Sequence, residues 1–416
     1  MNKTLRFVRN PTKPYPNSPT HIFVVLRNLE HIRLAYDQRF ALAVVRELRI
    51  RAHARGASIS AISEDSFLLH LSIGFPVEPR LAQQELERWQ LLLTDSPIEH
   101  EGVSVFPVVS VGFVRLDELG LPSPSEINQL TPPTTTPLPG VQHTTVWRLS
   151  YDRDMSFAEH FYRELSRQHF ALAFQPIVSL DDPQHTLYEE GLLRFIGNSA
   201  QDETPMGFDA IGTLERLGLI RRLDRSVVLN VLDLLRQNPH LKLGCNISAQ
   251  SATIDAWWNS ILELLAMHPD LGPRLTLEIT ESSSLSNVHA TVEFVQRLQH
   301  LGCRMAIDDF GSGFATLDFV RRAQPDIIKV DPGFLRRAHE GQSSSETLTH
   351  LVKLCTTLTQ QVIIEGIENE RDLALARKIG VTWAQGNLFS GPRITPDWSK
   401  APLPIRSSSL SGSFPY

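Results

Sequence analysis

Cysteine is scarce in this chain. Three thiols, Cys245, Cys303 and Cys355, stand among 416 residues with no Cys-x-x-Cys pair. That excludes a disulfide scaffold and a thiolate zinc site, and it suits a reducing cytoplasm. Long apolar runs are missing as well, since none approaches the roughly 18 residues of a membrane-crossing helix. The opening MNKTLRFVRNPTKPYPNSP carries a few basic residues but no apolar stretch behind them, so no signal peptide is read there. An excess of positive charge is absent: the net charge of −6 gives no electrostatic case for a nucleic-acid polymer as partner. Fifteen histidines are scattered without a His-Glu-x-x-His motif. What remains, 42% hydrophobic and 21% charged residues, is an ordinary soluble globular composition, long enough for two domains.

The chain divides at a change of composition. Residues 1–20 are proline-rich and polar and read as a tail. His21 to Leu26 reads as a strand. A helical pattern follows through Leu34, Phe40, Val44, Val45 and Leu48, then a hairpin over Ala57 to Ile73 with the polar turn Ser63-Glu64-Asp65-Ser66. A helix over 80–94 and a strand region over 103–116 complete a small α/β domain. Residues 120–142, rich in Pro, Thr and Ser, read as an extended linker, and VWRLSYDRDM as a short strand or adaptor. The expected domains are 21–150 with the linker included, and 151–402, followed by a tail over 403–416.

From about 155 the chain alternates. Strand-like segments fall at 171–178, 186–195, 242–248, 274–281, 303–310, 326–331, 361–368 and 381–386, with helical patterns in most gaps. The alternation predicts an α/β fold, a (β/α)8 TIM-like barrel behind the smaller α/β domain. Between the first two segments only SLDDPQH intervenes, too short for a helical crossover, so that pair is expected to be antiparallel.

Polar residues recur near the ends of these strands: Glu190, Asn246, Glu278 and Glu281, Asp308 and Asp309, Lys329, Glu365 and Glu368, and Gln385. Each alone is readily a helix cap or a solvated charge. Their recurrence at one face of a barrel is harder to dismiss, because burial without partners is costly. Carboxylates, an amide and one lysine make a hard-oxygen site suited to Mg²⁺ or Mn²⁺. The adjacent Asp308 and Asp309, followed by Gly311-Ser312-Gly313, suggest two ions and metal-assisted hydrolysis of a phosphate ester.

The strings FQPIV, EGLLRF, NISAQ, LEITES, IDDFGSG, IIKVD, IEGIEN and QGNLFSGP, in this order, resemble the EAL-domain cyclic-di-GMP phosphodiesterases over essentially all of 155–395. The resemblance implies a barrel with an antiparallel first strand, a two-metal site holding Mg²⁺ or Mn²⁺, and opening of cyclic di-GMP to linear pGpG. It implies Glu190, Asn246, Glu278 and Asp308 as first-metal ligands and Asp309 as a ligand of the second metal. Lys329 would contact the nucleophilic water, and Glu365 would be a metal ligand or general base. Glu281 would anchor the loop after Asp309 and couple metal binding to a homodimer through the barrel. Lys329, Glu365, Glu190 and Glu281 make up the implied catalytic set, and Gln175, Leu192, Arg194 and Gln385 the substrate-binding one.

Departures are few. Gly191 replaces the signature alanine, Asp318 stands for a small polar residue, Gly333 for a serine and Asn387 for a tyrosine. The N-terminal domain resembles a degenerate GGDEF domain. Ser63 and Glu64 replace the paired glycines of the turn, and Arg27 stands at the metal position. No Asp lies in 51–62, so the inhibitory site is missing too. No cyclase is expected, only a docking platform for a protein partner or a structural relic. The competing reading of the whole is a non-catalytic cyclic-di-GMP receptor signalling through its N-terminal domain. A sugar hydrolase needs only two carboxylates and leaves Asn246, Lys329 and Gln385 unexplained.

Overall fold

The computed structural model describes residues 21–71, 78–114, 144–197, 204–205, 208–280, 287–313 and 316–407. The expected N-terminal tail, the whole linker over 120–142, Glu281 and residues 408–416 lie outside the described residues.

The first strand, β1 (His21–Leu26), is apolar on both faces because both are covered. Two helices follow, Leu29–Ala35 and Gln38–Ala54, where the apolar spacing suggested one. Asp37 makes the break, accepting from Phe40 N at 2.7 Å as the N-cap of the second. The hairpin β2 (Ala57–Ala61) and β3 (Ser66–Leu71) comes next, then the helix Pro79–Thr94. A short β4 (Ile98–His100), which the sequence reading did not include, precedes the strand region expected over 103–116, and that region is two strands, β5 (Val103–Val105) and β6 (Val109–Val114). The sheet order is β2-β3-β1-β6, all antiparallel. Ile22, Val24 and Leu26 face the helices, and Phe23, Val25, Leu68 and Val114 pack on the other side.

The stretch read as a strand or adaptor is instead part of the helix Thr145–Ser166. Its buried Tyr151, Met155, Ala158, Tyr162 and Leu165 recur at helical spacing. It joins the two domains. Near its start Arg148 donates to Ala35 O at 3.1 Å, and near its end Tyr162 donates to Leu219 O at 2.6 Å.

The barrel strands are β7 (Phe170–Ser179), β8 (Thr186–Phe195), a short β9 (Thr204–Pro205), β10 (Leu243–Ser248), β11 (Leu275–Thr280), β12 (Arg304–Phe310), β13 (Ile327–Val330), β14 (Gln361–Ile364) and β15 (Trp383–Ala384). Strands run in the order β10-β11-β12-β13-β14-β15-β7-β8, and β8 pairs with β10 to close an eight-stranded barrel. Of these eight only β7 is inverted, antiparallel to both β15 and β8, as the short connection required, while the short β9 lies outside the closed ring, antiparallel to β8. Residues 403–406, expected as tail, pack on β7 instead. Ile405 N donates to Phe170 O at 2.8 Å and its side chain is fully buried. No helix among the described residues is long and apolar enough to cross a membrane.

Candidate active site

Parallel strands β8 and β10 to β15 bring their carboxyl ends to one mouth. Register then decides which side chains meet. Asn246 is paired across the ladder with Glu278, Glu190 with Gly244, and Thr280 with Asp308. Gly244 is needed at its level: a Cβ there would lie 2.5 Å from the Tyr188 ring and 2.8 Å from Glu278 Oε1. The signature-alanine position behaves similarly. A methyl on Gly191 would come 3.2 Å from Gly244 O and 3.3 Å from the Phe174 ring, so glycine relieves a tight contact there.

Lys329 stands at the centre, 1% exposed. Its Nζ lies 2.9 Å from Glu190, 2.6 Å from Glu278, 2.9 Å from Asp308 and 2.9 Å from Glu365. Glu190 is held from three sides, by Lys329, by Asn246 Nδ2 at 2.5 Å and by Gln385 Nε2 at 2.8 Å. Gln175 completes the wall, donating to Ser390 O at 3.0 Å and accepting from Gln385 at 3.3 Å. Leu192 and Arg194 follow Glu190 on β8 at steps of two, on its face but further along the strand, half-buried. Asp309 sits in the left-handed region at φ +53, a strained conformation for a non-glycine residue, and Gly311 follows at φ +96. That twist at the end of β12 is how two successive aspartates serve one mouth instead of opposite faces of the strand. Glu368, also noted near a strand end, is exposed and belongs to the turn before the helix Glu370–Ile379.

Burial and mutual charge set the electrostatics. Burial works against the Lys329 ammonium, but Asp308, Glu190, Glu278 and Glu365 hold it protonated well above the usual lysine range. Burial likewise works against ionised Glu190, yet Lys329, Gln385 and Asn246 keep it below the ordinary carboxylate value. Glu278, fully buried, is pushed up to about 8 by burial and the Glu190 charge. Asp309 is pushed up to about 6 by burial and Asp308, and burial raises Glu365 well above its usual value.

The residues fit a divalent-metal centre. Glu190, Glu278 and Asp308 form one group of carboxylates with oxygens within 4.8 Å of one another, and Asp308, Asp309 and Glu365 form a second that shares Asp308. Asn246 Oδ1, both Glu278 oxygens and Gln385 Oε1 are buried without a hydrogen-bond partner. For Glu278 Oε2 the Lys329 ammonium is near enough to attract but not aligned to donate. Such orphaned acceptors are costly unless a cation meets them. Five carboxylates against one lysine leave four uncompensated negative charges when all are ionised, the charge two divalent cations carry.

One layer behind the site escaped sequence reasoning. Glu215 accepts from Ser248 Oγ at 2.6 Å, and Asp224 accepts from Ser248 N at 2.9 Å and Ser251 Oγ at 2.5 Å. The available signal was two acidic residues inside otherwise apolar helical faces.

The EAL domain family matches residues 158–392, more than half of the chain, and the protein belongs to that family. Among curated proteins it is similar to the cyclic di-GMP phosphodiesterase PdeF of Escherichia coli, 29% identical over 248 residues that span 59% of this chain and 32% of that one. It is also similar to the cyclic di-GMP phosphodiesterase NbdA of Pseudomonas aeruginosa, 28% identical over 246 residues, 58% of this chain and 31% of that one. The matched region thus spans about a third of the length of these relatives. In fold it resembles the solved FimX EAL domain from Pseudomonas aeruginosa bound to c-di-GMP, with a TM-score of 0.51 and 24% identity over 57% of this chain and 96% of that one.

Proposed function

We propose that this protein is a cytoplasmic, metal-dependent phosphodiesterase that opens cyclic di-GMP to linear pGpG, with Mg²⁺ or Mn²⁺ at the two carboxylate groups. The observation that carries the reading is the pair of groups sharing Asp308 around a buried lysine. Curated relatives named as cyclic di-GMP phosphodiesterases support the substrate. The three free, buried thiols support a reducing compartment.

Glu190, Glu278, Asp308 and the Asn246 amide oxygen would hold one ion, and Asp308, Asp309 and Glu365 the other. Ions so held would supply Lewis-acid charge for attack of water on a phosphodiester. Lys329 keeps a fixed positive charge beside the reacting water and would orient it through one N–H. Glu365, ionised when ions occupy the site, would accept the proton of that water. Gln385 and Asn246 hold the Glu190 carboxylate in one orientation. Leu192 and Gln175 would line the substrate groove, and Arg194 would take a phosphate. A homodimer through the barrel, with Glu281 anchoring the loop after Asp309, belongs to the same reading.

The test is incubation of the full chain with cyclic di-GMP and Mg²⁺ or Mn²⁺, followed by product chromatography. Conversion to pGpG is expected, and Glu190→Ala and Asp308→Ala each abolish it while the barrel stays folded. Binding of cyclic di-GMP without turnover in either metal would instead identify a receptor.

A further inference from the structure

The N-terminal domain touches the barrel at a place with a direct line to Asn246. The helix Pro79–Thr94 lies against residues 256–267, the short turn Ala256–Trp258 and the helix Asn259–Met267 that follow β10. At its centre Glu87, buried, bonds three barrel groups. Ser260 N donates to Oε2 at 2.8 Å, Ser260 Oγ to Oε1 at 2.8 Å, and Arg225 Nη2 pairs with Oε1. Arg225 is itself buried and reaches Ser260 Oγ at 3.2 Å. Beside this centre Asn259 Nδ2 donates to Gln83 O at 3.0 Å, and the other polar contacts of this helix with the barrel, among the described residues, reach neither Asn259 nor Ser260. Arg80 pairs with Glu263, Gln84 donates to Glu263 at 2.8 Å, and Arg222 pairs with Asp95 at 3.3 Å.

The two elements that Glu87 ties together hold the segment 248–260 at its two ends. Arg225 lies on the helix Ile220–Gln237, and its neighbour Asp224 receives Ser248 N and Ser251 Oγ. One turn earlier on that helix Arg221 pairs with Asp255 at 2.6 Å and reaches Thr253 O at 3.4 Å. Ser260 lies at the far end of the segment, and Trp258 Nε1 closes it by donating to Ser251 O at 2.7 Å. Asn246 is two residues before Ser248, its amide nitrogen on Glu190 and its oxygen unpartnered.

We infer that Glu87 is a positioning residue for the metal centre: from the other domain it clamps the segment 248–260, and so sets where the Asn246 oxygen stands relative to Glu190, Glu278 and Asp308. The inference rests on the reading of Asn246 as a metal donor. It also gives the N-terminal domain a mechanical task that needs no nucleotide. A carboxylate is suited to it, because one group satisfies a buried guanidinium, a helix-start N–H and a hydroxyl at once. Any partner that shifts the helix Pro79–Thr94 would act on the metal site through the same three bonds.

The experiment compares full-length wild type, Glu87→Ala, Glu87→Gln and the peripheral control Glu263→Gln. Amide hydrogen exchange and Mn²⁺ calorimetry are measured on each, and thermal melts confirm folding. In Glu87→Ala, exchange is expected to rise across 248–260 and Mn²⁺ affinity to fall roughly tenfold, the loss usual when support behind metal ligands is removed. Glu87→Gln, which keeps the shape and one acceptor, should lie between it and wild type. Glu263→Gln, which loosens the same interface without touching the segment, should change neither. Unchanged exchange and Mn²⁺ affinity in a folded Glu87→Ala would make Glu87 a mere tie between domains and overturn the inference. So would equal losses in Glu263→Gln. If Glu87→Ala fails to fold, Glu87→Gln decides by the same two readouts. If the wild type binds no Mn²⁺, the donor reading of Asn246 fails, and exchange alone then decides whether Glu87 holds the segment.

Discussion

Replacing Lys329 with methionine separates the structural from the chemical use of one charge. The methionine fills nearly the same space but leaves Glu190, Glu278, Asp308 and Glu365, each within 2.9 Å of the lost ammonium, without an internal cation. Removing one partner of a buried charge cluster costs about 3–5 kcal/mol. At about 2–4 °C per kcal/mol for a domain of this size, the melting temperature in EDTA should fall by roughly 10 °C. Divalent cations reverse this, since binding at a thousandfold excess over Kd contributes about 4 kcal/mol to the folded state, and the variant site is more negative than wild type. With saturating Mn²⁺ the two melting curves should therefore converge. Turnover should not recover. Loss of a fixed charge at the reacting water costs on the order of 100-fold or more in kcat, while affinity for cyclic di-GMP, measured by calorimetry in Ca²⁺, changes little. Melting by scanning fluorimetry with and without metal, together with product chromatography, reads all three quantities. An unchanged melting temperature in EDTA would refute Lys329 as the counter-charge of the cluster. Undiminished turnover would refute its place beside the water.

Three further outcomes are expected. A Cβ on Gly386, the residue after Gln385, would lie 2.1 Å from Ile367 O, so Gly386→Ala should displace Gln385 from Glu190 and lower both the melting temperature and turnover; a variant equal to wild type in both would contradict the packing described. Burial raises Asp224 from 3.8 to about 7, so between these values the folded state holds a proton that the unfolded chain has released, and stability falls as pH rises through the window. In Asp224→Asn that fall should flatten, and melting curves from pH 4 to 8 that stay parallel to wild type would reject it. The full chain should make no cyclic di-GMP from GTP, because the hairpin turn carries Ser63 and Glu64, and Glu64 Oε2 is paired with Arg33 at 2.5 Å; synthesis by an Asp308→Ala variant, which could not consume the product, would show the N-terminal domain to be a cyclase.

The barrel was legible in the sequence, and so were most of the polar residues that gather at its mouth, though Glu368 stands away from it and Glu281 lies outside the described residues. β8 runs from Thr186 to Phe195, the limits its apolar pattern set, and the short link after Ser179 forced β7 to run against its neighbours. These properties are local: alternation, run length and loop length are carried by adjacent residues, so they survive without knowledge of the fold. The helix Thr145–Ser166 carries a helical stripe at Tyr151, Met155, Ala158, Tyr162 and Leu165, but the stretch VWRLSYDRDM holds only the first two of these positions, too few to declare the period. Residues 403–406 looked like tail because nothing adjacent to them says that β7 has room for a partner. The left-handed backbone at Asp309 was equally silent, since Asp tolerates but does not demand it. Tertiary structure alone decided the electrostatics. Lys329 meets Glu190 across 139 positions and Arg225 meets Glu87 across 138. A charge has no period to betray its partner; only closure of the barrel, and docking of the smaller domain on it, removes the water that would otherwise have kept those charges apart.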